Sequence, residues 1–219
     1  MAQTRVVMLP GMGTDERIFG PQRAAGLEFE TPALPDPYPS DTIATYARRI
    51  RDQLRLDGPC VVGGVSFGGM IAYELARITQ ARRVVLVASC TSSRAIPWHF
   101  RPVELICRII PDFIISQRAV ISGWLLTHLE GLTPEQLQLI REMARDTGVT
   151  ALRRIGRMIL TWDAPANCPC PVHHIHGARD SLIPLRKVNP EVVVPNGGHL
   201  INMTHPNEVN AFLARYLSC

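Results

Sequence analysis

Gly64-Val65-Ser66-Phe67-Gly68-Gly69 decides how the rest of the chain is read. The apolar run Pro59 to Gly63 precedes it and a helical pattern from Phe67 to Ile78 follows, so a strand passes into a helix through a very short turn. In a Gly-x-Ser-x-Gly turn of this kind the serine takes a strained backbone conformation and its hydroxyl stands clear of the sheet. Ser66 is that serine. A Cβ at Gly64 or Gly68 is expected to strike the neighbouring strand or the helix beginning at Phe67. That helix aims its N-terminus, with free backbone N–H groups, at the place where negative charge would develop. A glycine-rich structural turn fits the same letters, so companions elsewhere in the chain must decide between the two.

The chain has 219 residues, 46% of them hydrophobic and 19% charged, which suits one soluble domain large enough to bury a full core. Met1 to Arg5 runs straight into an apolar strand pattern with no signal-peptide h-region, and no apolar run approaches roughly 18 residues. A cytoplasmic protein without a membrane span is expected. Six cysteines are scattered, several within apolar runs, so they read as small reduced hydrophobes and not as a disulfide framework. The net charge of +4 comes almost wholly from arginine, Lys187 being the one lysine. Arg48, Arg49, Arg51 and Arg55 read as a solvated helix face, and no aromatic residues interleave with them to stack bases, so nucleic acid is set aside.

Arg5 to Leu9 has the β-branched, apolar pattern of a buried parallel strand and stops at Pro10-Gly11-Met12-Gly13, a loop that can present backbone N–H groups. Asp15 to Ala25 reads as a short helix, and Leu27 to Leu34 as a weak strand before a proline-rich loop. Ser40 or Asp41 then caps a helix reaching Arg55. After the Ser66 helix, Arg83 to Ala88 is again a buried strand, so strand and helix alternate as in a doubly wound sheet. From Thr91 the rhythm changes to helical patterns over 103–110, 113–126, from Thr133 with a capping box, and over 149–162. Residues 91–162 therefore form a helical insertion between a core made of 1–90 and 163–219. With Trp98, Phe100, Phe113, Trp124, Met143, Met158 and Trp162, the insertion is expected to lie as a lid over Ser66. Val172 to His176 and Glu191 to Val194 complete a sheet of about six strands, and Pro206 to Leu217 forms a last helix packed on it.

A serine hydroxyl is a poor nucleophile at neutral pH; it needs an imidazole to take its proton and a carboxylate to orient that imidazole. Asp180 lies in Gly177-Ala178-Arg179-Asp180 after one strand, and His199 follows Gly197-Gly198 after the next. Loops at the C-terminal ends of parallel strands converge on one crevice, where Ser66 also stands. Asp163 and Glu74 are rivals for the acid, but neither lies on the loop that the sheet order delivers to the histidine. His173 and His174 alternate across a strand, so at most one faces the site, and His205 reads as a cap before Pro206. Cys168 and Cys170 lack zinc spacing, and no metal or cofactor is implied.

The order Ser, Asp, His together with four segments identifies the resemblance: the chain is similar to the α/β-hydrolases from Val6 to the final helix. Leu9-Pro10-Gly11-Met12-Gly13 resembles the family's oxyanion loop, where His-Gly is commoner than Pro-Gly. Gly64 to Gly69 resembles its nucleophile elbow, His176 to Pro184 its acid loop, and Gly197 to Leu200 its histidine loop. The resemblance implies a catalytic set of Ser66, Asp180 and His199, an oxyanion hole from the Met12 and Phe67 N–H groups, and no cofactor. Met70 to Ala76 resembles both small serine carboxylesterases of the pimeloyl-ester type and stand-alone thioesterases. Hydrolysis of a small-molecule carboxylic ester leads. A thioesterase acting on an acyl-carrier protein or acyl-CoA follows, since nine arginines face six acids between Arg94 and Leu160. A ligand receptor that keeps the fold without turnover is the reading from another class.

Overall fold

The computed structural model describes residues 4–97 and 131–217. Five strands pair in chain order, all parallel: β1 (Arg5–Leu9), β2 (Pro59–Val65), β3 (Gln80–Val87), β4 (Val172–Gly177) and β5 (Val192–Val194). Among the described residues the sheet thus has five strands where about six are expected. The segment read as a weak strand over 27–34 pairs only at Glu30, whose N–H donates to the Val6 carbonyl and whose carbonyl accepts from Met8, both at 2.8 Å. Pro32 explains the brevity: the next residue that would donate to β1 has no N–H. Glu30 nonetheless lies on the opposite flank of β1 from β2. The chain therefore leaves β1 in one direction and resumes at β2 in the other, which opens a crevice between the loops that follow these two strands.

The strands β1 to β4 bury residues on both faces, whereas Val193 leaves one face of the short β5 exposed. Val7, Leu9, Cys60, Val62, Val84 and Leu86 meet α2 (Ile43–Leu54) and α3 (Phe67–Leu75) on one side. Met8, Val61, Val65, Val85, Val87 and Ile175, offset by one residue, meet Ile18, Phe19 and α7 (Pro206–Leu217) on the other. The last helix buries Val209, Phe212, Leu213 and Leu217, as its periodicity predicts. Two short helices, α1 (Gly20–Ala24) and α6 (Ile201–Thr204), fill the corners of that second side.

The start of α2 departs from expectation. Thr42 is its cap: Thr42 Oγ1 accepts from the Thr45 N–H at 3.2 Å and Thr45 Oγ1 accepts from the Thr42 N–H at 2.9 Å. Asp41 turns inward instead, accepting from the Tyr38 N–H at 2.7 Å and pairing with Arg49 at 2.6 Å.

Ahead of β4, α4 (Pro134–Thr147) opens with the predicted Thr133/Gln136 capping box and is followed by α5 (Val149–Leu160). Ile140 and Met143 of α4 join the core under α7, whereas Ile155 and Met158 of α5 join the core under α2 and α3. Both helices also touch the loop after β1: the Asp15 N–H meets Met143 Sδ at 3.5 Å, and a Cβ on Gly13 would lie 2.9 Å from Leu152 Cδ2. The helices expected over 103–110 and 113–126, with Trp98, Phe100, Phe113 and Trp124, lie outside the described residues. Among the described residues no helix is long and apolar enough to cross a membrane.

Candidate active site

Ser66 joins β2 to α3 with φ 51° and ψ −118°, a conformation that costs a non-glycine residue about 1–3 kcal/mol. Its surroundings hold it there. The Ser66 N–H donates to the Val87 carbonyl at 3.0 Å, and the Ser66 carbonyl accepts from Ser89 Oγ at 2.6 Å and from the Gly69 N–H at 3.0 Å. The flanking glycines are required by contact: a Cβ on Gly64 would fall 2.4 Å from the Gly68 carbonyl carbon, and one on Gly68 only 2.1 Å from the Leu9 carbonyl oxygen.

Asp180 leaves the end of β4 and His199 the loop after β5, and backbone bonds fasten the two loops together. Ala178 N–H donates to the Val194 carbonyl at 2.9 Å and Arg179 N–H to the Gly197 carbonyl at 2.8 Å. The result is a line of hydrogen bonds. His199 Nδ1 lies 2.7 Å from Asp180 Oδ2, and His199 Nε2 lies 2.9 Å from Ser66 Oγ. An acceptor-only carboxylate facing Nδ1 puts the imidazole proton there, which leaves Nε2 to accept the Ser66 hydroxyl. Asp180 Oδ1 accepts from the Leu182 and Ile183 N–H groups at 2.9 and 2.8 Å. Burial alone would raise the Asp180 carboxyl, but His199, the Ile183 N–H and His176 together hold it below the ordinary carboxylate range.

The oxyanion candidates flank this line. Leu9 is in register with Gly64, so the loop carrying Met12 runs beside the elbow, and a Cβ on Gly11 would come within 3.6 Å of Ser66 Cβ. Phe67 is fully buried, yet its N–H, like that of Met12, finds no acceptor among the described residues. A buried N–H with no protein partner is available to an incoming oxygen.

The remaining candidates sit elsewhere. Glu74 accepts from Trp162 Nε1 at 2.7 Å near the C-terminal end of α3, the end opposite Ser66, and Asp163 is exposed. His173 stacks on Tyr216 and pairs with Glu191 at 3.0 Å. The His205 carbonyl accepts from Val209, the capping position expected before Pro206. Cys168 and Cys170 hold their sulfurs 3.8 Å apart, and among the described residues no three His, Cys, Asp or Glu side chains could share a metal ion.

A known family matches residues 6–212, from β1 into α7, and it is described as the alpha/beta hydrolase family. The chain belongs to the alpha/beta hydrolase family. Solved structures with the same hydrolase fold include a thermophilic esterase from Thermogutta terrifontis, 23% identical, with a TM-score of 0.71 over 99% of this chain and 90% of the other. The enol-lactonase of Burkholderia xenovorans LB400 is 19% identical, with a TM-score of 0.73 over 99% and 92%. Est816, described as an N-acyl homoserine lactone degrading enzyme, is 17% identical, with a TM-score of 0.67 over 98% and 93%. No curated protein matches the sequence.

Two further residues, Ser89 and His176, brace this candidate site. Ser89, which holds the Ser66 carbonyl, follows β3 with nothing to distinguish it from any strand-end serine. His176, 3.2 Å from Asp180 Oδ2, was legible in principle: it precedes Asp180 by four residues and shares a strand face with His174.

Proposed function

We propose that this hydrolase cleaves a carboxylic ester of a small molecule through an acyl-enzyme on Ser66. The observation that carries the reading is the unbroken line from Ser66 Oγ through His199 to Asp180, anchored on a serine held in a strained turn. His199 takes the hydroxyl proton as Ser66 Oγ attacks the ester carbonyl, and the N–H groups of Met12 and Phe67 receive the oxyanion. Nε2–H then protonates the departing alcohol. Water, deprotonated by the same nitrogen, attacks the acyl carbon and releases the acid and Ser66. The sequence implies no cofactor, and each of these steps is a proton transfer or a nucleophilic attack.

Residues 91–162 act in this reading as a lid inserted into a core of 1–90 and 163–219, supported by the contacts of α4 and α5 with the loop after β1. Similar structures are named as an esterase, an enol-lactonase and an N-acyl homoserine lactone degrading enzyme, and linear and cyclic esters share one acyl chemistry. A thioesterase would run the same steps with a different leaving group. The receptor reading is disfavoured because binding alone requires no oriented base beside a strained serine.

A fluorophosphonate probe, followed by turnover of p-nitrophenyl esters, lactones and acyl-CoA thioesters, tests the proposal. Labelling of Ser66, with turnover lost in Ser66→Ala, is expected. Turnover by Ser66→Ala within tenfold of the parent would sink the nucleophile assignment.

A further inference from the structure

His176 is the penultimate residue of β4, with its ring wholly buried under the acid loop. Its Nε2 lies 2.8 Å from the Ile183 carbonyl and 3.2 Å from Asp180 Oδ2. Neither oxygen can donate, so Nε2 carries the ring proton. Nδ1 of the neutral ring is then bare, and it lies 3.1 Å from Nε2 of His174, which donates to it. The two rings are two residues apart on one strand face, with centroids 5.0 Å apart and planes at 82°. The same Ile183 whose carbonyl His176 grips sends its N–H to Asp180 Oδ1.

We infer that His176, its tautomer fixed by His174, is a positioning residue for Asp180: it clamps the Asp180–Ile183 turn and sets its N–H edge against Oδ2, leaving that oxygen one orientation toward His199. This inference rests on the acid role given to Asp180 above. Burial lowers the affinity of both inner histidines for a proton, that of His174 to a pKa of about 3, so both stay neutral at working pH. The Asp180 charge is then left to His199, because no second imidazolium competes for it.

Nitrogen-15 spectra of the histidine-labelled protein at neutral pH should show His176 as the Nε2–H tautomer. On a p-nitrophenyl ester, His176→Phe is expected to lower kcat by ~10–100-fold with KM within about twofold, the scale at which outer partners of a site act. The low-field Nδ1–H proton of His199 should move in the same variant. His176→Gln places an amide N–H near the Nε2 position and should keep kcat within about fivefold, whereas the shorter amide of His176→Asn should not. This pair decides the matter if the Phe variant fails to fold. An Nδ1–H tautomer, or Phe and Asn variants with parental kcat and an unmoved His199 proton, would overturn the inference. Ser66→Ala run alongside separates the failures: if it is dead while the His176 variants are unaffected, only the positioning role is lost.

Discussion

Trp162 donates its indole N–H to Glu74 Oε1 at 2.7 Å, and both side chains are buried. The bond ties the chain just after α5 to α3, the helix that follows Ser66, and the Trp162 ring packs edge-on against Tyr73 at 6.1 Å. Trp162→Phe keeps most of the ring contact but leaves a buried carboxylate without its donor, at a cost of about 1–3 kcal/mol. Each kcal/mol corresponds to roughly 2–4 °C in Tm at this size. Adding Glu74→Leu should recover part of the loss, since removing both partners is cheaper than orphaning one. A Trp162→Phe melt that overlays the parent would show that the bond does not anchor the insertion.

Gly68→Ala asks for a Cβ 2.1 Å from the Leu9 carbonyl oxygen, a contact that only a shift of β1 or α3 could relieve. Because the obstacle is backbone, loss of folded protein or of Ser66 labelling is expected. Gly20→Ala meets nothing within 4 Å and should fold normally. Comparing soluble yield and probe labelling of the two variants checks the point, and a labelled Gly68→Ala at parental level would contradict the contact.

This contrast also shows what the sequence made legible. The elbow could be read because its glycines answer to backbone contacts between adjacent strands and a helix, which the pattern itself specifies. The order Ser66, Asp180, His199 could be read because parallel strands deliver their loops to one end. Asp41 reads from the sequence as a cap candidate, yet it turns inward, because its partner Arg49 becomes its neighbour only once α2 has formed. The spacing of His176, four residues before Asp180, stands in the sequence, but its bond to the Ile183 carbonyl depends on how the acid loop folds back, which strand alternation does not specify. Pro32, by contrast, was visible in the sequence and sufficient to shorten the sixth strand to one bridge.

Acid should destabilise the fold through His174. Burial, then His176, holds its folded pKa at about 3, against ~6.5 for an unfolded histidine. Between these values the unfolded chain binds a proton that the folded chain refuses. Stability therefore falls as pH drops from ~6.5, by at most about 1.4 kcal/mol per unit, and is insensitive to this group above it. Asp180 acts in the same direction at lower pH: its depressed folded pKa contributes stability above the unfolded value of ~3.9, and that contribution is lost as pH falls through the folded value. His174→Gln keeps a donor for His176 but does not titrate. Urea denaturation at pH 7 and pH 5 should show the parent losing roughly 2 kcal/mol more than the variant. Equal losses would remove His174 from the account.

The insertion arginines separate an ester from a carrier-bound thioester. Docking of an acidic carrier protein would draw on Arg153, Arg154 and Arg157, but Arg154 and Arg157 bond within the chain. Arg154 Nη1 donates to the Pro37 carbonyl at 2.8 Å and Arg157 Nη2 to the Asp41 carbonyl at 2.9 Å, clamping α5 to the loop before α2. Guanidinium groups spent on internal carbonyls offer little to a partner, which favours the small-molecule ester. Hydrogen bonds from charged donors contribute about 1.5–3 kcal/mol, so Arg154→Ala and Arg157→Ala should lower Tm by several degrees. They should leave the ratio of kcat/KM for a matched ester and acyl-carrier thioester within about threefold of the parent. That ratio should also hold as salt passes ~0.1 M, where the Debye length shrinks to ~10 Å and a docking surface made of exposed charges weakens. A thioester preference of a hundredfold or more, lost at high salt and in both variants without a change in Tm, would reverse the assignment and put the arginines on the docking surface.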